Sequence, residues 1–213
     1  MKLGFLGGSF DPVHHGHLLA AQDALEALGL EKVVFIPSAR TPLKAGRPEL
    51  SAEGRLELLA LALEGVPYFE ASTMEVDRGG VSYTVETARS LRERYPRSEL
   101  YWIIGADQAR GLRQWHRIEE LAGLLAFACV GRPGSEEPGP ELAVEGLRVC
   151  PVESHLCDIS SSDIRERLRS GRPIHFLTPS RVVERITEKG WYRAVAGVGT
   201  SDRGPCAGSC QSG

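Results

Sequence analysis

One stretch decides the fold of this chain: Gly7-Gly8-Ser9-Phe10-Asp11-Pro12-Val13-His14-His15-Gly16-His17. It follows a short apolar run, Leu3 to Leu6, that is typical of a first β-strand. It leads into Leu18 to Leu28, where leucine and alanine recur at helical spacing. The sequence therefore predicts a strand, a glycine turn and a helix that begins with two histidines three residues apart.

This arrangement suits a bound polyphosphate. Glycines carry no Cβ atom, so ligand oxygens can approach the backbone N–H groups of the turn closely. The following helix offers unpaired N–H groups and the positive end of its dipole, which favours an anion. His14 and His17 can face the same way and donate hydrogen bonds to phosphate oxygens. The predicted nucleotide-binding residues of this turn are Gly7, Gly8, Ser9 and Phe10.

A second anion-binding pattern lies late in the chain, at Ile159-Ser160-Ser161-Ser162-Asp163-Ile164-Arg165. A capping box, with Ser160 as the N-cap and Asp163 at the third helical position, explains part of it. It does not explain Arg165, a cation early in a helix where the dipole disfavours positive charge. A phosphate at this helix end would use serine hydroxyls, N–H groups and the guanidinium together. We therefore expect nucleotide binding by Ile159, Ser160 and Ser161, and phosphate binding by Arg165.

Strand and helix patterns alternate along the rest of the chain. The predicted strands are Lys32 to Ile36, Phe69 to Val76, Leu100 to Ile104, Leu124 to Val130 and Arg148 to Val152. The predicted helices are Ser51 to Leu63, Ser82 to Tyr95, Ser160 to Arg169 and Pro179 to Lys189. This alternation predicts an α/β fold, a doubly wound parallel sheet of Rossmann type with a small C-terminal helical segment.

The predicted domain is a single one over residues 1–193, with its C-terminal helical part at about 158–193. Residues 132–146 are rich in Gly, Pro and Glu and indicate a mobile surface loop. Residues 194–213 are rich in glycine and serine and have no apolar period, so a disordered tail is expected there.

Composition excludes several classes of function. A net charge of -3 and a pI near 6.1 give no electrostatic footprint for nucleic acid. No apolar run approaches the roughly 20 residues that span a bilayer, so no membrane partner is expected. Met1 to Leu3 leads directly into the first strand, which leaves no room for a signal peptide and predicts a cytoplasmic protein. The sequence leaves open a homo-oligomer, and it predicts no metal site built from protein ligands.

The two phosphate patterns together resemble the nucleotidyltransferase superfamily. Its signature is His-x-Gly-His or Thr-x-Gly-His after the first strand, and His14-His15-Gly16-His17 fits it. Members transfer a nucleoside monophosphate from ATP or CTP to a phosphate-bearing acceptor and release pyrophosphate. The late segment is similar to an Ile-Ser-Ser-x-x-Ile-Arg element that grips the triphosphate opposite the histidines. The resemblance implies catalytic roles for His14, His17 and Arg165.

The middle of the chain resembles the bacterial nicotinate mononucleotide adenylyltransferases. Ser82-Tyr83-Thr84-Val85-Glu86-Thr87 is similar to their Ser-Tyr-Thr-x-Asp-Thr. Trp102 to Asp107, followed by Trp115, is similar to their Ile-Ile-Gly-x-Asp and downstream tryptophan. The resemblance implies that Gly105 and Asp107 bind ATP, with Asp107 on a ribose hydroxyl. It also implies that the acceptor is bound by Ser82, Tyr83, Thr84 and Trp115.

Two basic residues of this region are less distinctive. Lys44 resembles the lysine of a Pro-Pro-His-Lys element in the same family, although Thr41 and Leu43 replace the proline and the histidine. We assign Lys44 to the acceptor site. Arg55 begins a segment that also resembles the family, but a surface charge on an amphipathic helix explains it equally well.

The resemblance implies transfer of AMP from ATP to nicotinate mononucleotide, which forms nicotinate adenine dinucleotide (deamido-NAD) and pyrophosphate in NAD biosynthesis. Mg²⁺ is expected on the triphosphate, held mostly by substrate oxygens and water. Two alternatives stay open. One is an adenylyltransferase for another acceptor, nicotinamide mononucleotide or phosphopantetheine. The other is a non-catalytic nucleotide-binding regulator.

Overall fold

A six-stranded parallel sheet forms the centre of the protein. The computed structural model describes residues 1–40, 48–131, 144–155 and 157–193. The strands are β1 (Lys2–Gly8), β2 (Lys32–Pro37), β3 (Phe69–Ala71), β4 (Glu99–Gly105), β5 (Ala126–Gly131) and β6 (Val149–Glu153). They are ordered β3-β2-β1-β4-β5-β6 and every neighbouring pair is parallel. This doubly wound order confirms the predicted fold class.

Helices cover both faces of the sheet. They are α1 (His15–Leu28), α2 (Ala52–Leu63), α3 (Met74–Arg78), α4 (Thr84–Arg94), α5 (Ala106–Arg110), α6 (Ile118–Leu124), α7 (Ser161–Arg169) and α8 (Ser180–Lys189). Successive residues of a strand point to opposite faces, so β4 sends Trp102 and Ile104 into one apolar core and Tyr101 and Ile103 into the other. The core with Trp102 packs against α4, α5 and α6, and the other packs against α1, α2, α7 and α8.

The strand order of the sheet reverses between β1 and β4. From this pair the strand order runs outward to β3 on one side and to β6 on the other. Ligands of such folds bind beyond the carboxyl ends of the strands at this reversal. Gly7 and Gly8, predicted in a turn, are the last residues of β1, and Gly105 is the last residue of β4. The residues predicted to bind the nucleotide therefore lie at this end of the sheet.

Two predicted elements begin or end elsewhere. The strand expected over Phe69 to Val76 is wrong beyond Ala71, because β3 pairs with β2 over three residues and Met74–Arg78 form α3. The helix expected from Ser82 begins at Thr84 with Tyr83 as its N-cap. The Ser82 hydroxyl instead accepts a hydrogen bond from the Ala39 N–H at 3.1 Å. Ser82 therefore joins α4 to the end of β2 rather than capping the helix.

Short helices account for the rest of the differences. Neither α5 nor α6 was predicted, because helices of five and seven residues are too short to show a helical period. The last residue of α6 is Leu124, so the strand predicted from Leu124 begins at Ala126.

The C-terminal helices pack on the sheet rather than forming a separate body. Ile164 of α7 and Val182 and Ile186 of α8 belong to the same apolar core as β1 and β2 residues. Lys44, most of the 132–146 loop and the 194–213 tail lie outside the described residues. Within the described ranges, no helix has the length and apolarity needed to cross a bilayer.

A buried carboxylate ties the segment after β6 to α1. Asp23, 4% exposed, accepts hydrogen bonds from the His155 N–H at 2.9 Å and pairs with the His155 ring at 2.6 Å. The hydrogen bond and the charge of Asp23 raise the pKa of His155 above 6.5. Since the folded pKa is the higher one, the pair stabilises the fold fully below about pH 6.5, and the contribution is lost as the pH rises through the raised value.

We therefore expect His155→Gln to lower the melting temperature more at about pH 6 than at about pH 9.5. Thermal unfolding followed by circular dichroism at both pH values measures the difference. His175→Gln, at an exposed histidine, is the matched control and should show no such pH dependence. Equal losses for His155→Gln at both pH values would contradict this account.

Candidate active site

The glycine turn needs glycine for reasons of space. A Cβ atom on Gly7 would lie 2.5 Å from the Trp102 ring, and one on Gly8 would lie 3.2 Å from the Phe10 ring. Phe10 adopts φ of 47°, a backbone conformation that few non-glycine residues use, and its ring is completely buried. The Phe10 ring therefore packs in the core against Gly8. Any contact of Phe10 with a nucleotide would come from its backbone.

The two signature histidines lie together at the start of α1. His14 is the N-cap, and its N–H donates to Nδ1 of His17 at 3.2 Å. The rings stack with centroids 3.6 Å apart, and the Phe10 ring meets the His17 ring edge-on at 4.9 Å. Because His17 Nδ1 accepts a hydrogen bond, the ring hydrogen of neutral His17 is on Nε2. The neutral imidazole is thus held in the tautomer that donates from Nε2.

The start of α7 contacts the same turn from the other end of the chain. Ser160 is the N-cap, as predicted, and its hydroxyl accepts from the Asp163 N–H at 3.1 Å. The Ser161 hydroxyl donates to the Pro12 carbonyl at 2.8 Å. Ile159 lies beside α1, since a Cβ on Gly16 would be 3.5 Å from its carbonyl oxygen. The structure therefore brings both predicted phosphate elements together.

Arg165 is bonded to acidic and carbonyl oxygens. Its Nη1 donates to the Asp11 carbonyl at 2.7 Å and its Nε to Glu49 Oε1 at 2.8 Å. Arg169 also donates to Glu49. Burial raises the pKa of Glu49, but the hydrogen bond from Arg169 and the charge of Arg165 outweigh it, so the pKa falls below 4.5. Arg165 thus contacts the backbone just after the glycine turn, at Asp11, and is paired with the Glu49 carboxylate.

Asp11 is a functional residue that sequence reasoning missed. It is 3% exposed, and its carboxylate accepts from the Glu49 N–H at 2.8 Å, the Leu50 N–H at 3.2 Å and the Tyr192 hydroxyl at 2.7 Å. Burial and the Asp11 charge raise the pKa of Tyr192 above its ordinary value. The turn is therefore bound to the α2 entry and to the end of the described chain through one carboxylate.

Arg55 is buried, so its interpretation as a surface charge is wrong. The residue is 1% exposed, and Nη1 donates to the Ser9 carbonyl at 2.7 Å. Burial lowers the pKa of Arg55, and the Asp11 charge counteracts part of that effect. The side chain stays cationic because an arginine guanidinium is not deprotonated in proteins. Arg55 therefore supplies a fixed positive charge beneath the glycine turn.

A cavity of about 360 Å³ opens on the other side of the turn. Its lining comprises Gly7, Gly8, Ser9, Ser38, Glu75, Ser82, Tyr83, Thr84, Trp102, Gln108, Gln114, Trp115 and His116. The predicted acceptor residues Ser82, Tyr83, Thr84 and Trp115 thus share one cavity with part of the predicted nucleotide turn. The Trp115 ring packs edge-on against Phe127, with centroids 5.8 Å apart.

Gly105 and Asp107 lie beside this cavity without lining it. Gly105 is the N-cap of α5, and the side chain of Asp107 is 93% exposed and paired with Arg110. The carboxyl end of β4 does carry both residues, as predicted. Contact between Asp107 and a nucleotide stays a prediction.

Glu75 is a second residue that sequence reasoning missed, because it was assigned to a strand. It is 3% exposed, lines the cavity and accepts from the Thr87 hydroxyl at 2.6 Å. Burial raises the pKa of Glu75, whereas hydrogen bonds from Thr87 and Ser82 and the charge of Arg78 act in the opposite direction. Among the described residues, no group of three His, Cys, Asp or Glu is arranged to hold a metal ion.

The sequence is similar to proteins of one family over most of its length. A cytidylyltransferase-like family model matches residues 5–167. A probable nicotinate-nucleotide adenylyltransferase of Opitutus terrae is 43% identical over 193 residues, which cover 91% of this chain and 98% of that protein. A protein of the same name from Geobacillus kaustophilus is 44% identical over 197 residues, covering 92% of this chain and 88% of the relative.

Solved structures show the same fold. A Plasmodium falciparum nicotinic acid mononucleotide adenylyltransferase complexed with NaAD superimposes with a TM-score of 0.72 at 16% identity, over 90% of this chain and 97% of that one. A putative nicotinate-nucleotide adenylyltransferase of Vibrio parahaemolyticus superimposes with a TM-score of 0.65 at 21% identity, over 90% and 96% of the two chains.

The Asp11 contacts predict a large effect on stability. Asp11→Ala leaves the Glu49 N–H, the Leu50 N–H and the Tyr192 hydroxyl without their acceptor. It should lower the free energy of unfolding by more than about 3 kcal/mol, since each hydrogen bond to a charged group contributes about 1.5–3 kcal/mol. Tyr192→Phe removes a single hydrogen bond to a charged group and should cost about 1.5–3 kcal/mol. Urea denaturation measures both, with Asp158→Ala, at an exposed aspartate, as the control. An Asp11→Ala loss no larger than that of the control would contradict the role given to Asp11.

Proposed function

Because this chain belongs to the cytidylyltransferase-like family, we propose that it transfers the adenylyl group of ATP to nicotinate mononucleotide. The products are nicotinate adenine dinucleotide and pyrophosphate. The observation that carries the proposal is the cavity, in which the glycine turn meets Ser82, Thr84 and Trp115. A nucleotide phosphate on the turn and an aromatic acceptor beside Trp115 would therefore be neighbours.

The reaction needs no enzyme nucleophile. The acceptor's phosphate oxygen, already ionised at neutral pH, attacks the α-phosphorus of ATP in line with the departing pyrophosphate. Catalysis then consists of positioning the two substrates and stabilising the charge that develops on the phosphate oxygens. His17 and His14 act on the α- and β-phosphates, and the backbone of Gly7, Gly8 and Ser9 approaches the nucleotide.

The neutral Nε2–H tautomer of His17 suits this role. A donor already oriented by its hydrogen bond from the His14 N–H costs no reorganisation when charge develops. Arg55 adds a buried positive charge beneath the turn. Together they favour the transition state by stabilising the negative charge on the phosphate oxygens and on the departing pyrophosphate.

The α7 end would hold the β- and γ-phosphates. Ile159, Ser160 and Ser161 offer the N–H groups of the helix start, and Arg165 offers its guanidinium. Because Arg165 is bonded to Glu49, a triphosphate would compete with that carboxylate for the guanidinium. Mg²⁺ would enter with ATP as part of the substrate, coordinated by phosphate oxygens and water.

On the acceptor side, the start of α4 would receive the carboxylate of the ring. The N–H groups of this helix end and the Thr84 hydroxyl can donate to an anion, while Tyr83 and Ser82 shape the turn. Trp115 would stack on the pyridine ring. Lys44 on the acceptor and Asp107 on an ATP ribose complete the proposal.

The acceptor is tested by pyrophosphate release from ATP and Mg²⁺, with nicotinate and nicotinamide mononucleotides as parallel acceptors. We expect a strong preference for the nicotinate form, since the hydrogen-bond donors at the start of α4 can bind its carboxylate. Phosphopantetheine serves as a third acceptor. Release with phosphopantetheine alone, or ATP binding with no release at all, would overturn the proposed substrate.

The histidine role is tested by His17→Ala. Removing one preorganised donor costs about 100- to 1,000-fold in kcat, and the KM for ATP should change little because the contact matters most in the transition state. His15→Ala, two positions earlier, is the matched control and should keep its turnover. A His17→Ala enzyme with kcat near that of the unaltered protein would rule out this role.

A further inference from the structure

The wall of the acceptor cavity contains one buried acid. Among the described residues that line the cavity, Glu75 is the only Asp or Glu, and none is Lys or Arg. One lining side chain, His116, can become cationic. It is exposed, and its ring packs at a tilt against the Tyr83 ring with centroids 4.5 Å apart. A carboxylate would repel the anionic acceptor of the proposed function, so the position of Glu75 in this cavity needs a physical explanation.

The hydrogen bonds around Glu75 all run toward it. Arg78 Nη2 donates to the Thr87 oxygen at 3.1 Å, so the Thr87 hydrogen is given to Glu75 at 2.6 Å. The Ala39 N–H likewise donates to Ser82 at 3.1 Å, and the Ser82 hydroxyl bonds to Glu75. These donated hydrogen bonds favour the ionised form of Glu75 and oppose the burial that raises its pKa.

This buried negative charge is only partly balanced. Arg78, whose charge acts on Glu75, donates its hydrogen bond to Thr87, and its Nε lies 3.8 Å from the Glu86 carboxylate. Keeping a carboxylate out of water without a direct counter-ion is costly. A positive charge placed in the cavity would offset that cost.

The proposed acceptor carries such a charge. In a pyridine mononucleotide the ring nitrogen forms the glycosidic bond and is permanently positive, whatever group the ring bears. We propose that Glu75 is a specificity-determining residue that recognises this pyridinium charge, an inference that rests on the proposed function. Trp115, in the same cavity, presents an aromatic ring that also favours a cation. Glu75 therefore selects for ring charge, and the start of α4 selects for the carboxylate.

The test compares two acceptors that differ in ring charge and ring aromaticity, and substitution of Glu75 isolates the part due to charge. Nicotinate mononucleotide has a pyridinium ring, and its 1,4-dihydro form has a neutral ring with the same phosphate, ribose and carboxylate. Isothermal titration calorimetry measures the binding of both. We expect the unaltered protein to bind the pyridinium form about 10- to 100-fold more tightly, as for one charge pair in a partly screened site. Glu75→Gln should lower this ratio several-fold by weakening the binding of the pyridinium form, while the part due to ring stacking on Trp115 stays.

Two controls separate charge from fold. Glu93→Gln makes the same change at an exposed position of α4 and should leave the ratio unchanged. Glu75→Asp keeps the charge and should retain most of the ring preference, which keeps the proposal testable if Glu75→Gln does not fold. An equal loss for both ring forms in Glu75→Gln would reduce Glu75 to a structural support and overturn the proposal.

The outcomes also separate this proposal from the proposed function. A protein that prefers the pyridinium ring through Glu75 but releases no pyrophosphate from ATP would disprove the adenylyl transfer and support the role of Glu75. Pyrophosphate release without any ring preference would support the adenylyl transfer and overturn the role of Glu75. Failure to bind either ring form would overturn both.

Discussion

The Asp11 carboxylate is the interaction on which the rest of the site depends. One buried acid accepts hydrogen bonds from two N–H groups at the α2 entry and from the Tyr192 hydroxyl. Its own backbone carbonyl accepts from Arg165. A glycine turn would otherwise pay a large conformational entropy cost to hold one shape. Asp11 offsets this cost by linking the turn to elements that are distant in sequence.

The same link explains why the C-terminal helices belong to the site. Ser161 and Thr178 donate to the carbonyls of Pro12 and Val13, each at 2.8 Å, and the His15 N–H donates to Leu177 at 3.0 Å. These bonds satisfy backbone groups of the turn that a parallel sheet alone leaves without partners. The two predicted phosphate elements, which are far apart in sequence, are thus one hydrogen-bonded unit.

The sequence predicts the parts of this protein that have strong local patterns. The β1 strand, the α1 helix, the Ser160 cap and the doubly wound parallel sheet follow from periodicity, capping and alternation, and the structure confirms them. Asp11, Arg55 and Glu75 could not be assigned this way, because their roles depend on burial by elements far along the chain. Arg55 on an amphipathic helix and Glu75 near a strand look like surface charges until the tertiary structure encloses them.

The contact between Gly7 and Trp102 has a consequence for how such a site can change over evolution. Gly7 belongs to the turn assigned to the nucleotide, and Trp102 forms part of the wall of the acceptor cavity. With 2.5 Å between a Cβ at position 7 and the indole ring, no larger residue fits at position 7 while Trp102 is present. A larger residue at position 7 becomes acceptable only after the ring at position 102 has been reduced, which reshapes the acceptor cavity. Variation in nucleotide binding and variation in acceptor choice are therefore epistatic, and substitutions at these two positions should covary.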